Sequence, residues 1–570
     1  MAFQISPGVN VSEVDLTTVI PSILSTSGAF VGNFTWGPAE SIKNIDSEIA
    51  LASNFGKPDT NTAISFFTAA SFLAYGNNLK TVRAVGDACY NGISNAGGSS
   101  TQIKNEQAFD ASYLNQNNAN AIGPFVAKYP GALGNSITIS LLDAGGTFST
   151  WTVNSIGVST YFTGAPGTSV QATAAGATND EMHIIVTDAG GLITGTKNTV
   201  LEVWPYLSKA SDAVDALGNS NYYKNVLYRS SRYIYAADPV DYANTVATWG
   251  QTMSGTTFRT VNGAQTYRLT KGADATPTDA NIETAWDLFG NAEETDISLV
   301  VTGNASTTVQ QYVIDNIANA RKDCVAFISP PSASVVNNIG DEADDIITWY
   351  GNLNRTSSYV VSDCGWKYTF DKYNNVYRWV PLNGDVAGLC VYTDNIRDPW
   401  YSPAGLNRGF VKNVVKLAWN PNKSERDTLY SKGINPVVSI AGSGIVLFGD
   451  KTLQDKPSAF DRINVRRLFI VLEKTIARAA RYSLFEFNDE FTRAQFVALV
   501  TPFLRDVQGR RGIYDFRVVC DNTNNTAEVI DSNRFVGDIY IKPARSINFI
   551  QLNFVAVRTG VDFSEVVGRF

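Results

Sequence analysis

The chain has 570 residues and a formal net charge of −8; this is too long for one hydrophobic core, so about two to four domains are expected. Hydrophobic residues make up 44% and charged residues 17%, which excludes a chain without a core. No run of about 18 apolar residues occurs, and the opening MAFQISPGVNVSEVD has neither a basic nor an apolar leader region, so no transmembrane helix, membrane insertion or signal peptide is expected. Five cysteines (Cys89, Cys324, Cys364, Cys390, Cys520) are scattered without a CxxC pair. That argues against a disulfide framework and a structural zinc site, and fits assembly in a reducing cytoplasm.

Residues Met1–Ile20 alternate apolar and polar around Val9, Val11 and Val14. This predicts an extended arm with a short strand, which needs another sheet's edge to be stable. A strand over Gly28–Phe34, helices around Ser47–Phe55 and Ile64–Tyr75, and a strand over Leu79–Val85 make an αβ unit. From about Asn91 to Val200, Gly, Ser, Thr, Ala and Asn dominate, and short alternating runs such as Ser136–Leu142 and His183–Thr187 predict a β-rich insertion. A helix near Asn281–Phe289, the strand Asp296–Val301, the helix Thr307–Arg321 and the strand Cys324–Ser329 predict a β-α-β layer. Aromatic-rich turns and strands fill Tyr359–Gly449.

A long amphipathic helix is predicted over Asn464–Phe487. Val465, Leu468, Phe469, Leu472, Ile476, Ala479, Ser483 and Phe487 fall on one side, and Arg467, Lys474, Arg478 and Arg481 on the other. One face reads as core, the other as a stripe of positive charge. A second helix, roughly Glu490–Gln508, is capped by Asn488 or Asp489 and stopped by Gly509 and Gly512. Strand-like runs ending in Ser546–Val557 follow, then a tail with Val561, Phe563, Val566 and Val567. Lys456–Phe570 carries 17 basic and 13 acidic residues, against 28 basic and 40 acidic elsewhere. A basic end on an acidic chain suits a negative partner, nucleic acid or an acidic protein surface, with a plainly solvated face as the simpler reading.

Catalytic patterns fail one by one. The single histidine, His183, sits in a predicted strand and excludes HExxH and His-rich metal sites; no GxSxG elbow accompanies it. Gly444–Thr452 has P-loop glycine spacing, but Asp450 stands where the lysine belongs and would repel phosphate, so strand plus turn is the better reading. The β-α-β layer lacks GxGxxG. Glu293-Glu294 and Asp344-Asp345 read as solvated faces rather than a glycosidase pair. No cofactor site emerges. The basic stripe lacks interleaved stacking aromatics, so direct nucleic-acid binding is not expected.

The chain resembles the contractile tail sheath proteins of myovirus-type bacteriophages. The resemblance is carried by SPGVNVSEVD (Ser6–Asp15), SGAFVGNFTWGP (Ser27–Pro38), Leu73–Val85, Trp379–Arg408 and Leu429–Asn435, and most densely from Phe460 through KPARSINFIQLNFVAVRTGVDFSE (Lys542–Glu565). Asn91–Val200 matches least. The resemblance implies a non-enzymatic structural subunit of the virion, assembled in the host cytoplasm as stacked hexameric rings around an inner tail tube protein, with baseplate and tail terminator proteins as further partners. It also implies that contraction drives the tube through the host envelope.

Together these signals give an α+β multidomain fold. Residues 1–22 form an arm joining an inner αβ domain built from both termini. Residues 23–90 and 206–400 form a middle αβ domain, 91–205 an inserted β-rich outer domain, and 401–570 the inner C-terminal domain with its own arm. Val9, Val11, Val14, Val561, Phe563, Val566 and Val567 are the candidate strand-exchange residues, by β-augmentation of a neighbour's sheet, with Leu16–Ser27 and Gly560 as stems. Arg467, Lys474, Arg478 and Arg481 are the candidate tube-facing residues, since exposed ion pairs make a weak, releasable seat. The alternatives are the sheath of a related contractile injection system and, from a different class, a tail-associated glycan hydrolase.

Overall fold

Short, continuous apolar runs set the centre of the fold. GAFVG, LVV, VAFI and VVSD are buried end to end, the pattern of parallel strands covered on both faces. The computed structural model describes residues 25–114, 122–241, 247–548 and 551. They fall into two compact units, one ending at Tyr482 and one starting at Ser483.

The larger unit is built on a seven-stranded sheet of β1 (Gly28–Gly32), β2 (Lys43–Ile45), β3 (Leu79–Arg83), β4 (Leu299–Val301), β5 (Val325–Ile328), β6 (Val360–Asp363) and β7 (Ile434–Asn435). Their order is β7-β6-β5-β4-β1-β3-β2. Every pairing is parallel except that of β2 with β3. Two helices, α1 (Ala63–Leu73) and α2 (Asn383–Ile396), pack closely because α2 carries glycine at the contact. A Cβ at Gly388 would lie 2.3 Å from the Tyr75 ring, and one at Gly384 would lie 2.6 Å from the Thr68 carbonyl. Local caps fix other helix starts: Ser47 accepts from the Ala50 amide, and Thr278 with Asn281 forms a capping box.

The β-rich insertion is a four-stranded antiparallel sheet ordered Gln265–Arg268, Ile137–Asp143, Glu181–Asp188 and Thr199–Ser208. The chain enters and leaves it through a narrow neck, where Tyr90 bridges Ala273 and Ile93 bridges Thr270. The insertion therefore extends well past 205, and residues 206–268, expected in the middle domain, belong to it. Its last strand, QTYR, has no apolar alternation to betray it, and the helix Tyr223–Ser230 gave that stretch a mixed αβ texture. The boundary expected at 401 is also corrected. The two-residue strand β7 sits in the central sheet, so the chain from 401 to Tyr482 is part of the larger unit.

At the core of the insertion, Lys209 Nζ donates to Asp143 Oδ2 at 2.7 Å, with both side chains fully buried. The ammonium also donates to the carbonyls of Asn179 and Arg259, and Asp143 accepts from the amides of Gly145 and Val261. All three ammonium protons and both carboxylate oxygens thus have partners, which is the condition for a buried pair to be tolerated. Removing one partner strands the other. Asp143→Ala is expected to destabilise the insertion by about 3–5 kcal/mol in urea unfolding followed by tryptophan fluorescence; a loss below about 1 kcal/mol would mean the pair behaves as an exposed one.

Candidate functional site

A parallel sheet of this kind binds ligands where the strand order reverses, outside the carboxyl ends of the strands. Here that point lies between β1 and β4, and the protein's own side chains fill the region. Asn383, at the start of α2, donates from Nδ2 to the Gly303 carbonyl at 2.7 Å and accepts from the Gly303 amide at 3.2 Å. Its own amide donates to Ser329 Oγ, which donates to Asp363 Oδ2 at 2.6 Å. Asp363 Oδ1 accepts from the Gly365 amide. Alongside, Asp385 pairs with Lys367 at 2.8 Å and accepts from the Tyr75 hydroxyl. All these side chains are buried, and they lock loop to loop instead of facing a cleft.

The other catalytic suspects are structural too. His183 is buried in its strand, accepts at Nδ1 from the Tyr206 amide, donates from Nε2 to the Gly164 carbonyl and stacks on Phe162 at 4.1 Å. Burial lowers its pKa, so it stays neutral. Gly444–Leu447 is a hairpin strand paired with Val437–Ile440, and Asp450 lies 3.4 Å from Arg462. Among the described residues no group of His, Cys, Asp and Glu has the arrangement of a metal site, and no helix is long and apolar enough to cross a membrane.

The long helix of the C-terminal block, α3, spans Ile463–Ala480. It does not continue to Phe487: a 3-10 turn covers Arg481–Ser483, Phe485 has φ +69°, and Phe487, expected on the core side, is exposed. The apolar side is buried as expected through Val465, Leu468, Leu472, Ile476 and Ala479. The basic side is not the free stripe that the spacing suggested, because α3 crosses the amino ends of β6, β5 and β4. Arg466 stacks on Tyr359 and donates to Ser358 Oγ, just ahead of β6. Arg467 grips Asp394 with two hydrogen bonds of 2.6 and 2.8 Å, both side chains only 4% exposed. Lys474 reaches Asp296 at 2.8 Å and Asp323 at 3.4 Å, the residues leading into β4 and β5, and also the Ile297 carbonyl. Arg478 reaches Asp296 at 3.2 Å, and Arg481 is exposed. The negative partner of the stripe is thus the same chain.

This relocates the basic surplus. Residues 456–482 hold seven basic and two acidic residues, whereas Ser483–Phe570 holds ten basic and eleven acidic. The excess belongs to α3 and its approach. Asp296, Asp323 and Asp394, the partners that matter, were invisible to spacing because they lie far from α3 in sequence.

In the smaller unit, α4 (Glu490–Gly509) is capped by Asp489 and buries Phe496, Val500, Leu504 and Val507. It packs on the strand Ile513–Val519, whose antiparallel partner is Asp538–Pro543. Arg517 and Tyr540 pair on one face, Phe516 and Ile541 on the other. Among the described residues each strand pairs only with the other, so each keeps an open edge. Residues 544–548 carry no strand, and the rest of the run expected over Ser546–Val557, apart from Gln551, lies outside the described residues. The candidate exchange residues Val9, Val11, Val14, Val561, Phe563, Val566 and Val567 lie outside the described residues.

Residues 275–453 match the family described as phage tail sheath protein central domain, and 455–556 match the phage tail sheath C-terminal domain. A tail sheath protein of Vibrio phage KVP40 is 35% identical, covering 99% of this chain and 100% of its own length. That of Enterobacteria phage T4 is 33% identical, covering 99% of each. This chain belongs to the phage tail sheath protein family. The fold of this sheath protein also resembles the sheath tail protein Lin1278 from Listeria innocua, with a TM-score of 0.52 at 11% identity over 91% of this chain and 95% of that one. The anti-feeding prophage helical sheath in its contracted state gives 0.50 at 12% identity over 96% and 98%. The sheath protein is a structural component of a contractile bacteriophage tail.

Asp363 makes the packing of that end pH-sensitive. Burial, its largest influence, pushes its carboxyl up to about 7 from the ordinary 3.8, against the hydrogen bonds from Ser329 and Gly365. A carboxyl raised in the folded state adds stability that is complete below its unfolded value and is lost as pH rises through the folded one. Asp363→Asn, which keeps only one of the two accepted bonds, is therefore expected to compare best with the unmutated protein at pH 8, its relative stability falling steadily from pH 7 towards pH 4. Thermal melts across that range check this; a difference that does not vary with pH would assign the effect to packing.

Proposed function

We propose that this sheath protein polymerises as stacked hexameric rings around a tail tube and that contraction of the polymer drives the tube through the host envelope. The observation that carries the reading is the two-stranded sheet of the smaller unit. Two strands alone are marginal, and open edges are templates for a strand from another chain. The alternating segments around Val9, Val11 and Val14, and around Val561, Phe563, Val566 and Val567, are the donors in this reading. Main-chain hydrogen bonds from such donors would hold subunits together while the attached bodies rotate. One other edge is guarded: Thr199–Ser208, at the rim of the insertion's sheet, carries Pro205, which cannot donate, and Glu202, which is tied to Ser231 and Arg232. The 33–35% identity to phage sheaths over the whole chain favours a phage tail over another injection device.

The contact with the tube protein is reassigned within this reading. Arg467 is consumed by Asp394 and Lys474 by Asp296 and Asp323, so the half-exposed Arg478, itself paired with Asp296, and the exposed Arg481 are the cations of the stripe that still reach solvent and could bear on a tube. Such exposed charges give weak, salt-screened contacts, which suits a sheath that must let go of the tube. Baseplate and terminator proteins would cap the two ends of the polymer.

Deleting residues 1–20 is expected to abolish polymerisation while leaving a soluble, folded subunit; normal sheaths in negative-stain images of the truncated protein would sink the strand-exchange reading. Arg478→Glu with Arg481→Glu is expected to reduce assembly on tubes while still permitting tubeless polymers. Co-sedimentation with purified tubes measures this, and unchanged sheath-on-tube assembly would remove these residues from the contact.

A further inference from the structure

The chain holds three Asn-Gly pairs, at 91–92, 262–263 and 383–384. In this dipeptide the asparagine amide is open to attack by the next backbone nitrogen, because glycine puts no Cβ in the way. The fold treats the three unequally. Asn91 is fully buried; its Nδ2 donates to the carbonyls of Ile103 and Ala127, and its Oδ1 accepts from the Ile103 amide at 2.6 Å. Asn383 is equally buried and is bound to the amide and the carbonyl of Gly303. Neither side chain can turn towards its own glycine without giving up those bonds, which is costly in a buried site. Asn262 is exposed, in the loop that leads into the strand Gln265–Arg268. Among the described residues its side chain has no hydrogen-bond partner, and the Gly263 amide donates to no carbonyl. Gly263 has φ +75° and open space where a Cβ would stand.

A neighbour adds to this. Gln265 Nε2 donates to the Asn262 carbonyl at 2.9 Å and reaches the Gly263 carbonyl at 3.5 Å. The Asn262 carbonyl belongs to the same peptide group as the Gly263 nitrogen. When that nitrogen loses its proton, resonance carries the negative charge onto the carbonyl oxygen, where the Gln265 amide already stands to receive it.

We propose that Asn262 is a self-modifying site, deamidated by the Gly263 nitrogen with Gln265 as the stabilising donor. The nitrogen bonds to Asn262 Cγ, the Cγ–Nδ2 bond breaks, and Nδ2 leaves as ammonia with the proton that the Gly263 nitrogen gave up. Water then opens the succinimide ring. Cleavage at Cγ gives aspartate; cleavage at the main-chain carbonyl gives isoaspartate. Both add a negative charge to the insertion. Isoaspartate also lengthens the main chain between Val261, whose amide is tied to Asp143, and Gln265, which is fixed in the sheet.

Incubating the full-length, unpolymerised protein in mildly alkaline buffer, followed by tryptic peptide mapping, reads the three pairs on separate peptides, 84–104, 260–268 and 379–397. In the folded protein, peptide 260–268 is expected to convert to its aspartate and isoaspartate forms while the other two keep their amides; in urea all three convert. Gln265→Met, close in shape but without the donor, is expected to slow conversion at Asn262 roughly three- to tenfold in the folded protein and to leave it unchanged in urea. The site is wrong if Asn262 keeps its amide in the folded protein over the time that converts it in urea, or converts no faster than Asn91 and Asn383. Equal rates in Gln265→Met and the unmutated protein would overturn the part given to Gln265. The three-peptide comparison uses only the unmutated protein, so it decides the site whether or not the variant folds.

Discussion

The desolvated pair of Arg467 with Asp394 is the contact on which the larger unit's C-terminal organisation depends. It joins the first turns of α3 to the far end of α2, and α2 begins at the opposite rim of the sheet with Asn383. A guanidinium matched to a carboxylate by two short bonds fixes direction as well as distance. With that point fixed, α3 must run across the amino ends of β6, β5 and β4. Arg466 and Lys474 then meet partners in the order in which the strands stand.

The two rims of the sheet are treated differently. The carboxyl rim, where parallel sheets of this topology hold ligands, is closed by buried, mutually hydrogen-bonded side chains. The amino rim is laced by charges whose exposure rises along α3. A protein that must stay intact under mechanical load gains from the first arrangement, because buried polar networks are costly to break in part.

Much of this was legible from residues alone. The runs Gly28–Phe34, Leu79–Val85, Asp296–Val301 and Cys324–Ser329 announced four strands of the sheet, Asn488 or Asp489 announced the start of α4, and the 3.6-residue rhythm of Val465, Leu468, Leu472, Ile476 and Ala479 announced α3. Three things were hidden. The two-residue strand β7 and the polar strand Gln265–Arg268 carry no periodicity, so domain limits moved by tens of residues. The end of α3 was hidden because nothing in Arg481–Phe487 says that Phe485 takes a left-handed conformation. The fate of the basic stripe was hidden because helical spacing tells which side chains share a face but not what that face meets. Arg467 and Arg481 look equivalent on a wheel, yet one is entombed and the other is wet.

The neck of the insertion has a consequence of a different kind. Two antiparallel bridges, Tyr90 to Ala273 and Ile93 to Thr270, bring the entering and leaving chains as close as the arms of a hairpin. Whatever lies beyond them is topologically a loop on the central sheet. Loop closure penalises length only weakly, so the length of the insertion by itself costs the sheet little. What holds it in place is side-chain contact beyond the neck, with Trp36 packed in its core and Lys104 paired with Glu40.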